Sequence, residues 1–303
     1  FSEKPVNLQN FSFPISPPIA TVNISRSSAN LFSLMNFDKF IAYSMLSKSP
    51  NNPINTKSLY FFEESKLNCL IKEFNFDSSK KYKLLIFMGL LGDFDSIEYA
   101  INLSKFIKEN RLSNNLDIFI IAIGSKEGKE KFSKFTGFSK KNIRTVENNE
   151  IHKLVGASAG INIGFGGWIN MLLMLSGIRS QRTLKEVFRG YTGDKNSKQI
   201  YKSQDKITLF NLISFKGKLF EQTFGNGYLR PFELATFRLN NMIEIIQNWN
   251  DYILDPQYLP QRTSSFLLND RDEVIYKYIS KEVLNYSKKM YSPIDFLNEN
   301  LNK

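Results

Sequence analysis

Apolar positions along this chain fall into two rhythms, and the alternation between them predicts its central elements. Residues 83–88, Lys-Leu-Leu-Ile-Phe-Met, form a short and nearly continuous apolar run that ends at Gly89. Such a run reads as a strand buried on both faces. The turn 90–95, Leu-Leu-Gly-Asp-Phe-Asp, follows it. From Ser96 to Glu109 the period becomes helical, with Ile97, Ala100, Ile101 and Ile107 on one stripe and Leu103 at its shoulder. Leu116 to Ile123 is a second apolar run, closed by Gly124-Ser125, and a helix over 126–135 follows. Ile143-Arg144-Thr145-Val146 predicts a short third strand, and 148–155 a short helix. Near the C-terminus, Ser264–Leu268, the turn Asn269–Asp272 and Glu273–Ile279 predict an antiparallel hairpin. A last helix is expected at 280–290, and Pro293–Leu301 closes the pattern.

Strand-helix-strand-helix order implies a right-handed crossover and neighbouring parallel strands. With a third strand, a hairpin and a final helix, the expected class is α/β with a thioredoxin-like fold. It carries an extended N-terminal arm and a long insertion, 156–262, before the C-terminal hairpin. Residues 1–30 are polar and hold Pro5, Pro14, Pro17 and Pro18, the composition of an extended arm. A stripe of Leu31, Leu34, Met35, Ile41 and Met45 predicts a short helix within 31–49, before the loop Ser49–Pro53. The expected division is therefore 1–57, arm and short helix, and 58–303, the thioredoxin-like domain. Residues 58–76 read as an irregular lead-in with helical character near 64–72. Phe1 is not a natural initiator, so a further segment is expected to precede it, a signal or transit peptide being one reading.

The insertion holds the most unusual stretch. Between Lys153 and Arg179 no residue carries a formal charge, and the densest apolar piece is 168–175, Trp-Ile-Asn-Met-Leu-Leu-Met-Leu. This is shorter than the roughly 20 residues a spanning helix needs. Two readings stay open: a loop leading into a buried helix, or a surface for a partner or a membrane interface. The second makes Trp168, Met171 and Leu172 its apolar contacts, and Arg179, Arg182 and Arg189 its basic ones. The glycines of 160–166 do not match a dinucleotide fingerprint, because their spacing is wrong and no strand precedes them. Residues 189–194, Arg-Gly-Tyr-Thr-Gly-Asp, read as a tight glycine turn. A stripe of Leu239, Met242, Ile243, Ile246 and Trp249 predicts a core-facing helix within 230–254.

Composition adds little to the fold and more to the partners. The chain has 303 residues, 27 of them Phe, and its Lys and Asn bias matches an AT-rich genome. Its formal charge is +11, which favours an acidic protein or an anionic membrane face. The basic residues are scattered and no nucleic-acid signature is present, so nucleic acid is not the expected partner. A single cysteine, Cys69, permits no intrachain disulfide and fits a reducing compartment. His152 is the only histidine and has no Cys or His companions for a usual zinc site. No metal or cofactor is expected. Asp93 and Asp95 stand at a helix N-terminus, where helix capping is the first reading.

The run Lys83–Glu109, the strand 116–123 with Gly124-Ser125, the stretch Thr145–Gly156 and the hairpin 264–279 together resemble the peroxiredoxin-like proteins of the alkyl hydroperoxide reductase/thiol-specific antioxidant (AhpC/TSA) group. The similarity covers roughly 82–290 and is to the enlarged versions of cyanobacteria and plastids, with Leu91–Ser96 and Arg189–Asp194 as motifs of that branch. The resemblance aligns the family's Cys-x-x-Cys with Asp93 and Ser96, so both thiols are replaced. Arg262-Thr263-Ser264 stands where redox-active thioredoxins carry a proline. A carboxylate cannot make the sulfur attack that peroxide reduction needs. The resemblance thus implies a non-catalytic binding, assembly or accessory subunit, with no catalytic residue. It implies a photosynthetic membrane complex as partner and a location in the cytoplasm or plastid stroma, at the thylakoid surface. Two rivals remain. One is a thiol peroxidase using Cys69, and the other a carrier holding a lipid or pigment between the insertion and the sheet.

Overall fold

The computed structural model describes residues 67, 76–77, 79–109, 114–162, 166–177, 180–210 and 212–301. The chain divides into two units, Phe1–Lys57 and Ser58–Lys303, and every described residue belongs to the second. The expected arm and short helix of 1–57 lie outside the described residues, as does Cys69. In the lead-in, Leu67 is helical and fully buried.

Three parallel strands and one antiparallel hairpin make a five-stranded mixed sheet. Strand β1 is Tyr82–Leu90, β2 is Leu116–Ile123 and β3 is Ile143–Val146. The hairpin is β6, Ser264–Leu268, with β7, Val274–Ile279. Their order is β3-β2-β1-β6-β7. Strand β1 runs parallel to β2, with Ile86 beside Ile120, and antiparallel to β6, with Phe87 beside Ser264. Pairing alternates side chains between two cores. Leu84, Ile86, Met88, Ile118, Ile120 and Leu267 pack on one face with Ile97 and Leu103 of helix α1, Phe94–Glu109. Leu85, Phe87, Ile121, Phe266 and Leu268 pack on the other with Leu67, Val155 and Ala157. A strand covered on both sides has no polar face, which is why β1 and β2 read as continuous apolar runs. Helix α2, Lys126–Thr136, starts where the Ser125 side chain accepts the Gly128 amide. Helix α3 is Glu150–Leu154.

The insertion adds helices and one small hairpin to the fold. It contains α4, Gly167–Leu175, and α5, Gln181–Thr192. A small hairpin follows, β4, Lys206–Leu209, with β5, Ile213–Lys216. Helices α6, Lys218–Phe224, α7, Glu233–Gln247, and α8, Trp249–Tyr252, lead back to β6. Among the described residues no helix is long and apolar enough to cross a membrane.

Two local expectations are corrected. Arg189 to Thr192 is the last turn of α5 rather than a glycine turn, and only Gly193, at φ 76°, turns the chain. Gly190 lies inside the helix, facing Ala235 of α7. Residues 280–290 are not helical. Their carbonyls take side-chain donors instead of helix amides: Thr183 Oγ1 donates to Val283 O, Tyr278 OH to Asn285 O, and an Arg189 Nη2 to Met290 O. Leu284 has a left-handed backbone at φ 56°, which a helix does not allow. The terminal helix is α9, Asp295–Leu301, further along the chain.

Candidate functional site

The C-terminal end of β1 meets the N-terminus of α1 and the approach to β6, and the three segments enclose a charged cluster. Asp93 closes the turn after β1, Asp95 and Ser96 lie in the first turn of α1, and Arg262 precedes β6. All four side chains are buried, with Asp95, Ser96 and Arg262 at 0% exposure and Asp93 at 1%. Arg262 Nη1 lies 3.3 Å from Asp95 Oδ2 and 3.6 Å from Asp93 Oδ2. Its other nitrogens donate to the chain that delivers it: Nε to Pro260 O at 2.7 Å and Nη2 to Leu259 O at 2.5 Å. Gly89 makes room for this, because a β-carbon there would come within 2.5 Å of the Gln261 carbonyl. Gln261 in turn donates to Ser158 O and accepts from Asn149 Nδ2, tying the loop after α3 to the same corner.

The electrostatics are those of two acids sharing one cation. Burial pushes Asp93 above the ordinary carboxylate range, with Arg262 pulling it back. Burial and the Asp93 charge push Asp95 well above that range, against the pull of Arg262. One guanidinium offsets one carboxylate, and the second acid is driven toward its neutral form. The Ser96 and Thr263 hydroxyls have no hydrogen-bond partner among the described residues. On the opposite face of the sheet, His152 Nε2 donates to Met88 O at 2.6 Å, and burial lowers the imidazole to about 4. The ring is neutral at physiological pH, packed edge-on against Phe87.

A second buried network joins the insertion to this corner. Arg238 of α7 pairs with Glu98 of α1 at 2.7 Å and Glu186 of α5 at 3.4 Å. Arg189 pairs with Glu186 at 2.8 Å and approaches Asp194 at 3.7 Å. Tyr286 donates to Glu98 and stacks on Tyr99.

No family model, curated protein or solved structure matches this chain. The geometry alone therefore carries the reading of the site. Asp93 and Ser96 stand together at the start of α1. What the sequence does not anticipate is the pairing of both acids with Arg262. The available signal was an arginine two residues before a fully buried strand, Ser264–Leu268, where a charge needs a counter-charge. Among the described residues no group of His, Cys, Asp and Glu could hold a metal ion.

The candidate contact residues separate. Trp168 is half-exposed and stacks on Trp249 at 4.9 Å, and Leu172 is 59% exposed. Met171, at 3%, is part of the core and offers nothing to a partner. Arg182 is exposed, whereas Arg189 is held inside the ion network. Arg179 lies outside the described residues. Helix α5 is inverted relative to an ordinary surface helix. It buries Thr183, Glu186 and Gly190 and exposes Leu184, Phe188 and Tyr191. Those three are spaced i, i+4, i+7 and form one stripe. A groove of about 390 Å³ lies beside it, lined by Phe94, Leu175, Val187, Phe232 and Met242 among others.

Proposed function

We propose that this chain is a thioredoxin-like binding or assembly subunit that docks on a partner protein through α4 and α5, with no redox chemistry at the thioredoxin position. The observation that carries the reading is the inverted α5. A helix that buries its polar face in an ion network and presents Leu184, Phe188 and Tyr191 outward has an apolar stripe in need of cover. Leu172 and Ile169 of α4 extend the apolar surface. Parallel strands β3, β2 and β1 followed by the antiparallel β6–β7 hairpin support the thioredoxin-like assignment. At the position where the resemblance aligns the redox thiols, Asp93, Asp95 and Arg262 form a closed ionic clasp. It fastens the end of the insertion to α1 instead of admitting a substrate. The setting proposed for the docked protein is a photosynthetic membrane complex, on the ground of the sequence resemblance.

The rival with a thiol nucleophile gives the test. The purified chain with a thiol reductant is expected to consume peroxide no faster than its Cys69→Ser variant. Catalytic consumption abolished by Cys69→Ser would replace this reading with that of a peroxidase.

A further inference from the structure

The β4–β5 hairpin is built unlike the rest of the surface. Phe210, Leu212 and Ile213, at and beside its tip, are 50%, 84% and 60% exposed. Phe210 also holds a left-handed backbone, φ 54°, a conformation that costs a bulky residue free energy. The base is tied down by hydrogen bonds and ring contacts. Gly217 N donates to Asp205 O, and Lys218 N to Ser203 O. Phe215 packs edge-on against Phe220, which stacks on Tyr201 and lies under the Arg230 guanidinium. Arg230 is itself held by Glu233 at 2.6 Å, both fully buried. An apolar tip is thus carried on a rigid mount.

Charge is gathered behind that tip, at the base of the hairpin. Residues 195–224 hold six lysines, at 195, 198, 202, 206, 216 and 218, against two acids, Asp205 and Glu221. Lys206 and Lys216 are exposed and directly opposite each other across the strand pair. Like charges so placed destabilise a hairpin. Neither makes an ion pair among the described residues, and nor does the exposed Lys218. Both nearby acids are engaged at the base: Asp205 accepts the Lys202 amide, and Glu221 takes Ser203 Oγ and Asn226 Nδ2. Cross-strand pairing puts Ile207, Phe215, Leu209 and Ile213 on one face and Lys206, Lys216, Thr208 and Ser214 on the other. The hairpin is therefore amphipathic along its length, with an apolar end and a basic flank.

We propose that the β4–β5 hairpin is a membrane-surface element. Phe210, Leu212 and Ile213 enter the headgroup region of an anionic bilayer, and Lys206, Lys216 and Lys218 pair with its lipid phosphates. An anionic surface neutralises the lysine pair that the protein leaves opposed, and the interface takes up the apolar tip that water does not. A small-molecule anion would satisfy the lysines and leave the tip exposed, so a bilayer is the occupant that answers both features. This contact is separate from the α4–α5 stripe and needs no partner protein.

The test is co-sedimentation of the full chain with vesicles. Binding is expected to mixed phosphatidylcholine–phosphatidylglycerol vesicles and not to phosphatidylcholine alone, weakening as salt is raised. At about 1 kcal/mol per lysine, Lys206→Gln with Lys216→Gln lowers the affinity about 30-fold. Leu212→Asp lowers it by at least about tenfold, since a charge replaces the most exposed apolar side chain. Both changes fall on exposed positions, and circular dichroism checks that the variants stay folded. Leu172→Asp with Phe188→Asp is expected to bind the vesicles as the parent does. The proposal is overturned if the parent ignores anionic vesicles, or if the hairpin variants bind as well as the parent.

Discussion

Arg262→Met is expected to destabilise the folded chain by about 3–5 kcal/mol at neutral pH, the usual cost of removing one partner from a buried ion pair. Arg262 is fully buried and is the cation shared by Asp93 and Asp95. Methionine keeps much of the volume but leaves two acids facing each other in a site that water does not reach. It also frees the Leu259 and Pro260 carbonyls, so the corner where the insertion rejoins the sheet loses its tether. The neighbouring substitution behaves differently. Asp95→Asn is expected to change stability by less than about 1 kcal/mol, because Asp95 is already pushed toward its neutral form, which an amide mimics. The pH dependence follows from the raised carboxyls. An acid whose folded value lies above its unfolded one costs stability once pH exceeds the unfolded value, near 4, and returns it as pH falls. The Arg262→Met deficit is therefore expected to shrink on acidification from neutral pH. Urea unfolding of the three proteins at two pH values measures all of this. Parent-like stability of Arg262→Met would mean that the charged clasp does not hold the corner together.

His152 produces the second large effect, with the opposite sign. Burial lowers its folded value to about 4, while the unfolded imidazole titrates near 6.5. Its contribution is fully present above about 6.5 and is lost as pH falls toward 4. The interval corresponds to about 3 kcal/mol. His152→Gln is expected to remove that part of the acid sensitivity, because glutamine offers an N–H to Met88 O and does not titrate. Asp93 and Asp95 titrate in the other direction over part of the same range. The informative quantity is therefore the difference between parent and variant profiles. Identical acid slopes in thermal unfolding would show that His152 is not held neutral by the fold.

What could be read from the sequence was the part governed by local period. Strands β2 and β3 fall at the predicted residues, and β1 and α2 extend the predicted elements by a residue or two. For β1 and β2 an apolar run buried on two faces, and for α2 a Ser cap, leaves a one-dimensional mark. The misplaced helix at 280–290 shows the limit. Its apolar residues Val283, Leu284 and Tyr286 do face the core, but side chains distant in sequence hold its carbonyls. The clasp was half legible. Asp93 and Asp95 stand out in the sequence as a carboxylate pair at a helix N-terminus, whereas Arg262 reaches Asp95 across 167 positions. No periodicity records such a pairing. Helix α5 keeps a helical period but buries its polar face, since Glu186 is taken by Arg189 and by Arg238 of α7, and its apolar residues are left outside.

The most direct test of the docking account is sedimentation of the native protein from gently solubilised host extract, beside a Leu172→Asp, Phe188→Asp variant. The parent is predicted to travel in a large assembly and the variant to run alone near its own 35.1 kDa. A parent that runs alone near that mass, or a variant that stays in the assembly, contradicts docking through α4 and α5.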